Sequence, residues 1–328
     1  MTLLSVRDLC VTLETPEGPA PILEDVGFDL AAGGSLGLVG ESGCGKSMTA
    51  LAVMGLLPER AVATGEIVFE GCNLLALPEG ALCKLRGRRL AMVFQEPMTA
   101  LNPVKTIGAQ VAEGLRWHLG LGRGEAEARA VKLLDRVGVP RPRFAPGLYP
   151  HQLSGGQRQR VVIAMALACD PALLIADEPT TALDVTSQAA ILDLLAEVAA
   201  EAGLALLLIT HDLAVVWQNT RSMIVMYAGR VVERGGTHEV FARMAHPYSR
   251  GLFAASPGAL DAVLPPGRRL AAIPGLVPDP LHRPAGCVFA GRCPRAAADC
   301  LPAQPAERRL APGHAVACLH PHLEATPA

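Results

Sequence analysis

The chain has 328 residues, half of them hydrophobic and 18% charged, with a formal net charge of -2. This length accommodates about two domains, the composition excludes wholesale disorder, and the near-neutral charge gives no overall electrostatic reason to expect nucleic acid as a partner. The first ten residues carry Arg7 and Asp8 where a signal peptide needs a longer apolar run, and no stretch reaches the roughly eighteen apolar residues of a membrane helix, so a soluble chain is expected.

Val6–Leu13 and Gly33–Val39 read as strands separated by polar and Gly/Pro-rich turns. Gly40–Ser47 follows the second strand, and Met48–Leu57 has the composition of a helix. From about residue 96 to 170 the chain reads as mainly helical. Glu125–Val137 mixes charged residues with Ala, Leu and Val, and Val161, Ala164, Met165 and Ala168 recur at i, i+3, i+4 and i+7. Leu173–Ala176 is a short buried strand, Ile191, Leu194, Leu195 and Val198 form another helical stripe, and Ala205–Ile209 is a further strand. That alternation predicts an α/β core with a largely parallel sheet, interrupted by a helical insert. After His246 the prolines at 265, 266, 274, 278, 280 and 284 break regular structure. The expected division is therefore a domain over 1–245 with 96–170 inserted, and a small irregular extension over 246–328.

Gly40-Glu41-Ser42-Gly43-Cys44-Gly45-Lys46-Ser47 satisfies the phosphate-loop pattern. Its glycines let backbone N–H groups approach phosphate oxygens, Lys46 reaches the β and γ phosphates, and the Ser47 hydroxyl ligates Mg²⁺. The helix opening at Met48 adds its positive end. Asp177 and Glu178 close the apolar run from Leu173, and alone they would read as a solvated strand end. After a phosphate loop they read as unequal partners: Asp177 serves Mg²⁺, and Glu178 orients or deprotonates the attacking water. Gln95 follows Met92-Val93-Phe94 and can contact Mg²⁺ or that water, while His211 follows Thr210 at the end of another apolar run and can reach the γ-phosphate or Glu178. Leu153–Arg160, LSGGQRQR, on its own is a glycine-containing turn opening a helix.

Together these motifs resemble the nucleotide-binding subunit of an ABC transporter over essentially the first 235 residues. The order is Walker A at Gly40–Ser47, Q-loop at Gln95, signature at Leu153–Gln157, Walker B at Leu173–Asp177, catalytic Glu178, D-loop at Thr181–Asp184 and switch His211. The resemblance implies a P-loop NTPase fold and a head-to-tail pair. Ser154, Gly155, Gly156 and Gln157 of one subunit would close over ATP held by the other, with Asp184 at the same junction. Hydrolysis would then move helices in membrane partners. Leu13 stands where an aromatic often stacks on adenine, leaving an aliphatic surface, and Thr181 replaces the usual D-loop serine.

The segment Glu96–Pro103, with Tyr149–Gln152 and Ile163–Leu167, is similar to oligopeptide/dipeptide importer ATPases, and to their D-type subunits in particular. That implies a nonidentical F-type ATPase as partner, two integral permease subunits, an extracytoplasmic solute-binding protein and a peripheral place on the cytoplasmic face of the inner membrane. Nickel importers share the architecture. A nontransport ABC ATPase acting on DNA or ribosomes is the other class, but Ser47 and Ser154 lie too close for long coiled-coil arms, and the chain carries one cassette.

Of nine cysteines, Cys287, Cys293, Cys300 and Cys318 follow a C-x5-C-x6-C-x17-C pattern in the tail. Four thiolates suit tetrahedral zinc or a [4Fe–4S] cluster, zinc motifs favour close CxxC pairs that are absent, and unmetallated thiols remain open. His314 and His320 read either as exposed or structural histidines or as substitute ligands. The D-type resemblance implies a [4Fe–4S] cluster. Cys44, near a helix N-terminus, reads as a tolerant loop position where a thiolate can be stabilised. Cys10, Cys72, Cys83 and Cys169 read as small apolar residues.

Overall fold

The computed structural model describes residues 1–95, 100–181, 183–256 and 272–324. Of the Glu96–Pro103 segment, residues 96–99 lie outside the described residues, as do Pro265 and Pro266. The chain forms two compact units: Met1 with 31–34 and 76–207, and residues 2–30, 35–75 and 208–328.

The first unit contains the paired strands β6 (Leu90–Val93) and β7 (Leu173–Asp177), which run parallel in the register Leu90↔Leu173 to Val93↔Ala176. Both are buried along their length, as expected for strands covered on both faces. β8 (Ala205–Thr210) begins in this unit, next to β7. Helices α2 (Glu79–Leu85), α3 (Ile107–Leu119), α4 (Arg123–Arg136), α5 (Gly155–Leu167) and α6 (Val185–Ala202) complete it. α3 starts where the Thr106 side chain accepts from the Ala109 amide, stops at Gly120 in the left-handed region, and buries Ile107, Val111 and Leu115. α6 buries its anticipated stripe of Ile191, Leu194, Leu195 and Val198. In α5 the expected stripe is overtaken: Val161, Val162, Ile163 and Ala164 are all buried, and Met165 is only half-buried.

The second unit contains a four-stranded sheet of order β2-β1-β4-β5, from β1 (Thr2–Thr15), β2 (Gly18–Ala31), β4 (Ala61–Phe69) and β5 (Cys72–Asn73). A bulge between Arg7 and Cys10 resets the inward alternation of β1 from Leu4 and Val6 to Leu9 and Val11. Gly65 faces this bulge, where a Cβ would lie 2.4 Å from the Asp8 carbonyl oxygen. The unit's other strands are β3 (Ser35–Val39), β9 (Ser222–Tyr227), β10 (Arg230–Gly236), β11 (Arg308–Ala311) and β12 (His314–Val316), in the order β11-β12-β10-β9-β3 with the end of β8 beside β3. β3 and β9 are parallel, whereas β9/β10, β10/β12 and β11/β12 are antiparallel, so the parallel core carries an antiparallel margin.

Helices α1 (Lys46–Met54), α7 (Leu213–Asn219), α8 (Thr237–Arg243) and α9 (Pro247–Ala254) belong to the second unit. Its core joins Val39, Leu213, Val225, Tyr227 and Tyr248 to Cys287, Val288, Phe289 and Cys300 from the tail. Besides α9, β11 and β12, the tail forms, among its described residues, short 3₁₀ turns at Pro280–His282, Ala290–Arg292 and Ala298–Cys300. It is also tied to β10 by the buried Glu233 carboxylate, which accepts from the Ala245 and His246 amides at 2.8 and 2.9 Å and lies 2.8 Å from His314 Nε2.

Candidate functional site

In the second unit, Gly40–Ser47 turns from β3 into α1, and the helix opens at Lys46, two residues earlier than expected. Gly43 and Gly45 occupy the left-handed region, at φ 78° and 104°, and the helix ends at Gly55, also left-handed. A Cβ at Gly40 would sit 2.3 Å from the Met226 carbonyl oxygen, so only glycine lets the loop lie against β9. Ser42, Gly43 and Ser47 are exposed, and Met48 is half-buried. Lys46 is buried and donates from Nζ to the carbonyls of Gly40 (2.8 Å) and Glu41 (3.0 Å), so the loop wraps its own cation.

Cys44 is not a tolerant position. Its side chain is fully buried, and its sulfur lies 2.6 Å from where a Gly40 Cβ would be. Burial pushes the thiol's pKa up and outweighs the nearby Lys46, which acts in the opposite direction. Cys72 and Cys83 also depart from expectation, being exposed, with Cys83 donating to Glu79. Leu13 lies half-buried in β1 opposite Ala61, and His211 is exposed just after β8, where Asp212 caps α7 by accepting from the Ala214 amide.

The first unit brings together Gln95 and Glu178. Gln95 Nε2 donates to Glu178 Oε2 at 3.3 Å, and Thr181 Oγ1 donates to the same oxygen at 3.1 Å. Asp177 is buried at the end of β7, and Glu178 takes φ 45°, a left-handed turn that separates the two adjacent carboxylates. Ser154 begins α5 in a reciprocal capping box: its hydroxyl accepts from the Gln157 amide at 3.3 Å, and Gln157 Oε1 accepts from the Ser154 amide at 2.8 Å. Ser154 and Gly155 are exposed at this helix N-terminus, whose free amides and dipole favour an anion. A Cβ at Gly155 or Gly156 would come within 3.3 Å of Leu183 or Ser187. Asp184 caps α6, accepting from the Ser187 amide at 2.9 Å and its hydroxyl at 2.7 Å, which lowers the carboxyl's pKa.

The four tail cysteines line one pocket of the second unit with His246, Phe289, Arg295 and His320, and all are free thiols. Burial pushes Cys287, Cys293 and Cys318 up, Cys318 to about 11. Among the described residues, the ligand groups whose donor atoms all fall within 4.8 Å of one another comprise Asp299, Cys300 and His320 and no trio of cysteines. Sulfurs around one tetrahedral zinc stand about 3.8 Å apart, given Zn–S near 2.3 Å. The four thiols share a pocket without forming, among the described residues, a compact three-cysteine ligand group. His320 Nε2 is 2.8 Å from Asp299 Oδ1, and His314 is committed to Glu233, which removes it as a substitute ligand.

Residues that sequence reading missed are Glu41, Tyr248 and Arg292. The Glu41 amide donates to the Tyr248 hydroxyl at 2.7 Å, and Arg292 forks onto the Glu41 carboxylate at 2.6 and 3.0 Å. Glu41 falls at an unspecified place in the loop pattern and its partners are distant in sequence, so only folding shows the contact.

A glycine loop on a strand-to-helix turn, an Asp-Glu pair ending a buried strand and a capped LSGGQ helix define the ATPase domain of an ABC transporter. The ABC transporter family profile matches residues 23–181, and that of the oligopeptide/dipeptide transporter C-terminal region matches 232–300. The chain is 49% identical over 319 residues to the oligopeptide transport ATP-binding protein OppD of Escherichia coli, spanning 97% of this chain and 93% of that protein. It is 48% identical to a probable peptide ABC transporter ATP-binding protein of Sinorhizobium fredii, over 96% of this chain and 94% of that one. The dimeric, post-hydrolysis structure of the ATP-binding cassette MJ0796 with ADP and Pi is similar at a TM-score of 0.64 and 29% identity, covering 71% of this chain and 98% of that chain. The chain belongs to the OppD-like family of oligopeptide/dipeptide ABC transporter ATP-binding subunits.

Proposed function

We propose that this chain hydrolyses ATP to energise import of oligopeptides or dipeptides through a membrane permease. The observation that carries the reading is the joining, in one chain, of the cassette at 23–181 to the oligopeptide/dipeptide C-terminal region at 232–300. In this reading the cassette occupies 1–245 with its helical insert at 96–170, and 246–328 is the extension. The chain works on the cytoplasmic face of the inner membrane, in keeping with the lack, among its described residues, of any helix long and apolar enough to cross a membrane. Its partners are a second, nonidentical ATPase, two permease subunits and a solute-binding protein.

Gly40–Ser47 receives the triphosphate, Lys46 turning its ammonium from the loop carbonyls to the β and γ phosphates. Ser47, Asp177 and Gln95 are the residues that would hold Mg²⁺, which neutralises phosphate charge when bound. Glu178, steadied by Gln95 and Thr181, accepts a proton from the water that attacks the γ-phosphorus as the bond to the bridging oxygen breaks. His211 donates to the γ-phosphate, and Leu13 supports the adenine. Ser154, Gly155, Gly156 and Gln157 cap the ATP of the partner ATPase, with Asp184 beside that junction. Cys287, Cys293, Cys300 and Cys318 are the residues that would hold a [4Fe–4S] cluster, a reading that rests on the D-type resemblance and on the four lining one pocket.

Deletion of the gene in a strain that needs one amino acid tests the transport reading. Growth on a peptide containing that amino acid should be lost, and should return with the intact gene but not with Glu178→Gln. Unchanged growth on the peptide together with lost nickel uptake would move the chain to the nickel importers.

A further inference from the structure

We infer that Arg292 and Tyr248 are positioning residues of the nucleotide site, a clamp from the C-terminal region that sets the phosphate loop through Glu41. The inference rests on the reading that Gly40–Ser47 receives the triphosphate.

Glu41 is held at three points. Its amide donates to the buried Tyr248 hydroxyl at 2.7 Å, its carboxylate takes Arg292 Nη1 and Nη2 at 2.6 and 3.0 Å, and its carbonyl accepts from Lys46 Nζ at 3.0 Å. The third contact makes the other two matter, because the carbonyl that aims the phosphate-seeking ammonium belongs to the residue the clamp fixes.

Arg292 is placed with little freedom. Its side chain is 7% exposed, and its guanidinium also reaches the carbonyls of Pro274 (2.9 Å) and Ile273 (3.2 Å) and the Tyr227 hydroxyl (3.2 Å). All five N–H donors are thereby used, a pattern that only the planar arginine fork can meet. The guanidinium lies 5.6 Å from the Tyr227 ring centroid, and Tyr227, Tyr248 and Phe289 pack on one another at 4.7 to 5.4 Å. Arg292 ends the 3₁₀ turn Ala290–Arg292, between Cys287 and Cys293, whose amides bond back to Cys287, Phe289 and Ala290. The turn that spaces two pocket cysteines thus carries the residue that fixes the loop.

The test is equilibrium binding of a fluorescent ATP analogue to the full chain, with thermal melting run in parallel. Arg292→Gln and Glu41→Gln should each weaken binding about fivefold or more. The double variant should be no weaker than either single one, because both remove the same link. Tyr248→Phe keeps the ring packing and removes only the hydroxyl, and should weaken binding in the same direction while remaining folded. Arg234→Gln breaks a different tail ion pair, to Glu307 at 2.6 Å, and should bind as wild type does. Unchanged affinity in Arg292→Gln and Tyr248→Phe, beside a wild-type chain that binds, would overturn the clamp. A wild-type chain that fails to bind would instead overturn the reading of the loop on which it rests.

Discussion

Gln95 and Glu178, 83 residues apart, meet through a 3.3 Å hydrogen bond from the glutamine amide to the glutamate carboxylate. Thr181 Oγ1 donates to the same carboxylate oxygen at 3.1 Å. Glu178→Gln keeps the shape and removes the basic oxygen, so nucleotide affinity should stay within about twofold while phosphate release falls by about 10² or more. Parallel binding and phosphate-release assays on the complex check this, and normal turnover would remove Glu178 from the catalytic role.

Ser154 does two jobs in the proposed reading: it caps α5 and presents its hydroxyl to a partner's nucleotide. Ser154→Ala should lower stability by about 1 kcal/mol, the ordinary cost of a lost cap. The isolated chain should bind nucleotide as before, because its own phosphate loop is untouched. Hydrolysis by the assembled pair should drop well beyond what the stability change explains. Equal loss of binding in the isolated chain would show that the helix serves its own loop.

Thiol reactivity should follow burial. Cys72 is exposed, whereas Cys44 is sealed inside the phosphate loop with its pKa raised. A brief maleimide pulse on native protein near neutral pH should label Cys72 and spare Cys44, as read by peptide mass spectrometry. Labelling of Cys44 at a comparable rate would mean that the loop opens far more often than its packing indicates.

Cys287 is buried, and its amide donates to the Cys300 carbonyl at 2.8 Å, which ties the first pocket cysteine to the third. Cys287→Ser in anaerobically purified protein should lose iron and the visible absorption of a cluster. Elemental analysis decides between outcomes: iron unchanged in the variant, or zinc in place of iron in the wild type, would contradict the cluster.

The features legible in the sequence are those whose chemistry is local. Gly40–Ser47 declares itself within eight residues, and Asp177-Glu178 is marked by the apolar strand before it. α5 misled because it is buried on nearly all sides: with Val161 through Ala164 all inside, no stripe distinguishes Met165 from its neighbours. The start of α1 was set by Gly45 at φ 104°, a backbone property that hydrophobic periodicity does not report. The Arg292–Glu41 pair spans 251 residues, and nothing in either local pattern names the other.

The most direct measurement of the central claim is uptake of a labelled oligopeptide by proteoliposomes containing this chain, its partner ATPase and the two permease subunits, with solute-binding protein outside and ATP inside. The account predicts ATP-dependent accumulation with the wild-type chain and its loss with Glu178→Gln. Accumulation that persists at the wild-type rate with Glu178→Gln would contradict it.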